Sequence, residues 1–183
     1  MMPKNPLENV ALSPFLRDFV QTAPFPMTVK DTRTGQYILA NAMATQRYGL
    51  TPETYCGLTF QEIGQQQNLL ADHVAAVRQH DAQVCETQQP LPYQQIICTH
   101  DPFIRVEQMT KQPLLDQTKG VIAILTYSHD LTPRLDLTDL LALYQQYLPP
   151  KQAIQQCLKY LQLDTCFYTP PNETGIGSPL SVT

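Results

Sequence analysis

Apolar residues recur along this chain with two periods, one near 3.6 and one near 2. Phe15, Leu16, Phe19 and Val20 stand at helical spacing behind Ser13-Pro14, a hydroxyl able to cap a helix followed by proline at its first position. Pro24 and Pro26 end that helix, and Met27 and Val29 then alternate with polar residues up to Lys30, which predicts a short strand. Asp31-Thr-Arg-Thr-Gly35 reads as a turn and Tyr37 to Ala40 as the returning strand of a hairpin. Asn41 can cap a helix running to about Tyr48, with Gly49 to stop it. Thr51-Pro52-Glu53 starts a further helical turn closed by Gly57. Thr59, with Glu62 three residues on, has capping-box spacing for a third turn reaching Ile63.

A longer helix is predicted from Asn68 to about Glu86, with Leu70, Val74, Val77 and Val84 in one stripe. The period then falls to that of strands. Tyr93 to Thr99, Phe103 to Met109 and Val121 to Tyr127 are rich in Ile, Val, Phe and Tyr. Turn residues separate them at Asp101-Pro102 and from Pro113 to Gly120. This order predicts an α+β fold, a five-stranded antiparallel sheet with one face closed by the helical middle of the chain. Between sheet and helices a small chamber is expected. Phe60 and Val77 would line it from the cover, Cys98, Val106, Ile122 and Ile124 from the strands, with Arg105 and Gln108 as polar anchors. A slip of one residue would invert each strand's contribution, and a filled core without ligand is the competing reading.

Beyond the sheet, Thr132-Pro133 offers a cap and a first-turn residue, and Leu137, Leu140, Leu141, Tyr144 and Leu148 form an apolar stripe. Pro149-Pro150 interrupts it, and Ile154, Cys157, Leu158 and Leu161 continue in register on a second helix. Such a C-terminal helical pair either packs back on its own domain or forms a dimer interface and lever. The organisation expected is an N-terminal helical cap at 1–24, a sheet domain at 25–131, signalling or dimerisation helices at 132–163 and a Pro/Gly/Ser-rich linker at 164–183.

Charge narrows the partners. The net charge is -4, and the 12 Lys and Arg are scattered singly, without the clustered basic face that displaces counterions from phosphates. Direct nucleic-acid binding by this chain is not expected. No apolar run approaches the ~20 residues that span a bilayer, and no apolar segment of a secretory signal follows the start. The five cysteines form no CxxC pair, which argues for inert thiols in a reducing cytoplasm rather than disulfides or a metal centre. Enzyme motifs are missing too, with no GxSxG, no HExxH and no glycine-rich phosphate loop among only seven glycines. Ser128, His129 and Asp130 are neighbours on a predicted strand, whose side chains alternate faces and cannot converge.

The run Val29-Lys-Asp31-Thr-Arg-Thr-Gly35-Gln-Tyr-Ile-Leu-Ala-Asn41 resembles the opening of a PAS sensory domain, and Tyr48-Gly49 through Gly57 resembles that family's next signature. With the long helix and three closing strands, the resemblance covers about Phe15 to Asp130. It implies a signal-receiving module rather than an enzyme, with Asp31, Gly35, Asn41, Gly49 and Gly57 as its structural motif. The helices after Thr132, the linker and the ending Pro179-Leu180-Ser181-Val182-Thr183 resemble the sensor part of a PAS–LuxR-type transcriptional regulator, whose helix-turn-helix would lie beyond Thr183. A homodimer and a small-molecule ligand are implied partners. A ligand-free dimerisation module, or an input domain for a kinase or cyclase, is the alternative.

No cofactor is the leading expectation. Haem-binding members ligate from the long helix, which leaves haem through His73 or His80 as the lesser alternative. Seven residues of helix put these two ~10 Å apart, too far to share a metal. The cysteine motif of flavin-binding members is replaced by Gln66-Gln67-Asn68-Leu69-Leu70, which speaks against flavin.

Overall fold

The computed structural model describes residues 13–69, 71–97, 105–118, 120–145 and 148–160. Cys98, Leu70, Leu161 and the tail that carries the linker expectation lie outside them. Two compact units divide at Asp136/Leu137.

The first unit opens with α1 (Pro14–Thr22), capped by Ser13, whose hydroxyl accepts from the Leu16 amide at 3.1 Å. The hairpin β1 (Met27–Asp31) and β2 (Tyr37–Ala40) follows. Its turn is closed by Asp31, whose Oδ1 accepts from the Arg33 and Thr34 amides, while Gly35 takes φ +72, a left-handed conformation that a Cβ disfavours. Next come α2 (Ala42–Gln46), α3 (Pro52–Tyr55), α4 (Phe60–Gln66) and α5 (Ala71–Thr87). Thr51 and Thr59 each form a capping box, the latter with Glu62 as the sequence implies. Helix α2 stops two residues short of Tyr48, and α5 starts at Ala71 because Asn68 sits at φ +52 in the preceding turn.

The remaining strands are β3 (Leu91–Ile97), β4 (Arg105–Leu115) and β5 (Val121–Asp130). All neighbouring pairs are antiparallel, in the order β2-β1-β5-β4-β3. Strand β4 runs through Pro113, where the sequence predicts a turn. The β3–β4 ladder starts only at Leu91↔Lys111, so beyond Lys111 the strand is paired on one side, where a missing amide hydrogen costs little.

Both faces of the sheet are covered, a second difference from expectation. Helix α1 closes one of them, with Val20 fully buried in a cluster with Met27, Val29, Leu39 and Ala123. On the other face α2 to α5 pack a second cluster of Tyr37, Ala40, Tyr48, Tyr55, Phe60, Ile63 and Val77. Asn41 ties the layers together. Its Oδ1 accepts from the Met27 amide at 3.1 Å and caps α2 through the Ala44 amide at 3.0 Å, while Nδ2 donates to the Phe25 carbonyl at 2.7 Å.

After β5 the chain makes a single 3-10 turn (Thr132–Arg134) rather than entering a helix. Thr132 is fully buried, and its Oγ1 accepts from the Val106 amide at 3.0 Å, while the Leu131 amide donates to the Val106 carbonyl at 2.8 Å. The exit from the sheet is thus clamped to both backbone groups of one β4 residue.

The second unit is a helical pair, α6 (Leu137–Gln145) and α7 (Pro150–Tyr160), packed against each other. Of the predicted stripe, Leu140 and Tyr144 are buried, Leu141 and Leu148 half-buried, and Leu137 exposed. No described helix is long and apolar enough to cross a membrane.

Candidate functional site

A cavity of about 50 Å³ lies between the sheet and its helical cover. The pairing register explains its floor. Thr28, Thr126 and Lys111 form one row across β1, β5 and β4, and Ser128, Met109 and Tyr93 form the next across β5, β4 and β3. Members of both rows line the cavity. The roof comes from Arg47 and Tyr48 after α2, Tyr55 on α3, Phe60 on α4 and Val77 on α5.

Aromatic rings make most of the wall. Tyr37 and Tyr55 stand 4.6 Å apart between centroids, and Tyr48 meets Phe60 edge-on at 5.9 Å. Burial raises the phenols of Tyr37 and Tyr55 well above their ordinary value, pushes Tyr48 up to about 12 and raises Tyr93 as well, so all four stay neutral donors.

Two charged groupings border the cavity. Arg47 Nη1 donates to Glu107 Oε2 at 2.7 Å, with the Glu107 side chain only 4% exposed. Asp81, on α5, takes Lys30 Nζ on one carboxylate oxygen at 2.6 Å and Lys111 Nζ on the other. Burial alone would raise the Asp81 carboxyl, but the ammoniums of Lys111 and Lys30 hold it below its ordinary value. Burial in turn lowers the Lys111 ammonium, against the pull of Asp81. Lys30 Nζ also sits 4.7 Å from the centre of the Tyr37 ring.

Of the residues the sequence puts in the chamber, Phe60 and Val77 line the cavity. Ile124 is buried on β5 in register with Lys30 and Pro113, beside the lining rather than in it. Ile122 packs with the cluster under α1. Val106 and Gln108 have the opposite phase on β4 from Met109 and Lys111, and the Gln108 amide donates to the Tyr93 carbonyl at 3.1 Å. Arg105 pairs with Asp130 at 3.5 Å and is 41% exposed. Cys98 lies outside the described residues.

The charged and phenolic members of the site were not legible beforehand. A lysine or glutamate within a strand reads as a solvent-facing position, and the sign to the contrary was that Glu107 and Lys111 share strand parity with Met109.

The two histidines of α5 both pack against aromatic rings. His73 is held by the Gln95 amide at 2.6 Å and lies edge-on to Phe60, and burial lowers its pKa. The His80 ring lies tilted against Tyr93 with centroids 4.0 Å apart, its Nδ1 is buried without a hydrogen-bond partner among the described residues, and burial and Lys111 lower its pKa.

The family model described as the PAS fold matches residues 20–136. The chain belongs to the PAS family. Asp31 closes the β1–β2 turn and Asn41 caps α2, while Gly49 and Gly57 take φ +67 and +92. Among solved PAS structures, that of Bordetella pertussis BvgS aligns with a TM-score of 0.56 at 20% identity, covering 73% of this chain and 96% of that one. A Vibrio cholerae VqmA dimer, described among LuxR-type receptors, aligns at 0.58 and 19% identity over 79% of this chain and 73% of that one. A phage VqmA–DPO complex aligns at 0.53 and 14% identity, over 84% and 88%. At these identities the similarity shows the PAS fold. No curated protein matches the chain.

Proposed function

We propose that this PAS module binds a small molecule in the cavity over Lys111 and Tyr93, and that it works in the cytoplasm as the homodimeric input of a LuxR-type transcription regulator. The cavity carries the reading, because it brings neutral phenols and a buried ammonium to one concave wall between the sheet and its cover. Two fold relatives support it, one described as a ligand complex and one as a dimer among LuxR-type receptors. A ligand would act by shifting the balance between two packings of the cover helices. The Thr132–Val106 clamp offers a route outward, since β4 both floors the cavity and holds the exit from β5. Native mass spectrometry of the full chain, purified from cytosol under gentle conditions, tests this. A dimer carrying a small-molecule mass that denaturation releases is expected. A bare monomer, unshifted in melting temperature by any compound of a metabolite library, would refute it.

A further inference from the structure

Among the described residues the charges around Asp81 do not balance. Lys30 and Lys111 share one carboxylate, and the Lys111 side chain is 3% exposed and the Lys30 side chain 7%. The neighbouring Arg47–Glu107 pair is neutral as a unit and takes up none of the surplus. A buried net positive charge is costly unless something offsets it. Lys111 is also the member of the triad that lines the cavity.

A second observation points to the same wall. Among the described residues the Tyr93 hydroxyl is buried without a hydrogen-bond partner, although Tyr93 lines the cavity. Buried hydroxyls ordinarily find partners. Tyr93 faces Met109 across β3–β4, and Lys111 is two residues further along β4 with the same parity. The two donors are therefore diagonal neighbours on one face. Around them the wall is aromatic, from Tyr37, Tyr48, Tyr55 and Phe60.

We infer that the cavity selects a small planar monoanion whose charge lies on oxygen, with the Lys111 ammonium as its counter-charge and the Tyr93 hydroxyl as its second donor. This rests on the ligand-sensing reading above and adds a charge requirement to it. An anion brings the buried grouping of two ammoniums and one carboxylate to neutrality and occupies the unused hydroxyl. A neutral analogue of the same shape does only the second. Charge-assisted hydrogen bonds are about twice as strong as neutral ones, so the preference is expected to reach about tenfold or more in Kd.

The test is titration calorimetry of the full chain with matched probes: acetate against acetamide, benzoate against benzamide, and 4-nitrophenolate against 4-nitroanisole. The carboxylate and phenolate arms identify which oxygen acid fits. The deciding variant is Lys30→Met, which removes the surplus charge without touching the cavity lining and leaves Asp81 paired with Lys111. It is expected to cut the anion-to-neutral preference about tenfold while leaving the neutral probes unchanged. Tyr93→Phe keeps the ring and is expected to weaken the anions severalfold. A loss of packing alone would weaken both members of each pair equally. Binding of the neutral probes with no anion preference, or a preference untouched by Lys30→Met, overturns the inference and leaves the sensing reading standing. If no probe binds while native mass spectrometry finds a bound neutral metabolite, the inference again falls alone.

Discussion

Asn41→Ala is the most informative single perturbation of this fold. Asn41 is 4% exposed and makes contacts on three sides. Its loss removes the cap of α2, worth about 1 kcal/mol. It also strips the Met27 amide and the Phe25 carbonyl of partners at the entrance to β1, each worth about 1 kcal/mol. The expected destabilisation is about 3 kcal/mol. With an m-value of about 1.5 kcal/mol/M, the urea midpoint should fall by about 2 M. The chain has no tryptophan, so far-UV circular dichroism is the suitable probe. Asn41→Asp separates the roles. Aspartate caps a helix as well as asparagine does, but it cannot donate to the Phe25 carbonyl and would set a carboxylate against it. It should cost about 1–2 kcal/mol, less than alanine but clearly above zero. If Asn41→Asp is neutral, or Asn41→Ala costs under about 1 kcal/mol, then Asn41 is merely a helix cap and the account of it as a tie between layers is wrong.

Three further outcomes follow from the same contacts. Burial lowers the folded-state pKa of His73 below its ordinary 6.5, so the neutral ring stabilises the fold above that value and the contribution is lost as pH falls through the folded pKa. Urea midpoints should therefore decline on acidification below about pH 6.5, and His73→Gln should flatten part of the decline; an unchanged slope would refute the assignment. A Cβ at Gly64 would lie 2.6 Å from Val74 Cγ2, so Gly64→Ala should cost about 1–3 kcal/mol in thermal or urea melts, with Val74→Ala added in the same chain recovering part of it. Thr132→Val leaves the buried Val106 amide without its acceptor and should cost about 1–3 kcal/mol, with faster hydrogen exchange at Val106 as the local sign.

Most of the architecture was legible because local chemistry agreed with the tertiary answer. Ser13, Asn41, Thr51 and Thr59 cap the helices they precede, and Asp31 with Gly35 makes the expected turn. The misjudged stretches are those where tertiary pairing outweighed local signals. Pro113 reads as a turn, yet continues a strand that has a neighbour on one side only. Thr132 has the look of a helix cap, yet its hydroxyl serves the Val106 amide on β4. Of the site, the aromatic and aliphatic roof residues Phe60 and Val77 were visible, because apolar periodicity marks what is buried. Lys30, Asp81 and Lys111 were not, because ion pairs joining residues 51 and 30 positions apart leave no trace in periodicity.

The strand order has one more consequence. Strands β1 and β5 are neighbours at the middle of the sheet and run oppositely, with Met27, the first residue of β1, opposite Tyr127 near the end of β5. The polypeptide therefore enters β1 and leaves β5 at the same rim of the sheet, as a plug has both its wires on one side. This means that a small rotation of β1 against β5 would be felt at once by whatever precedes and whatever follows, with no need to cross the body of the fold.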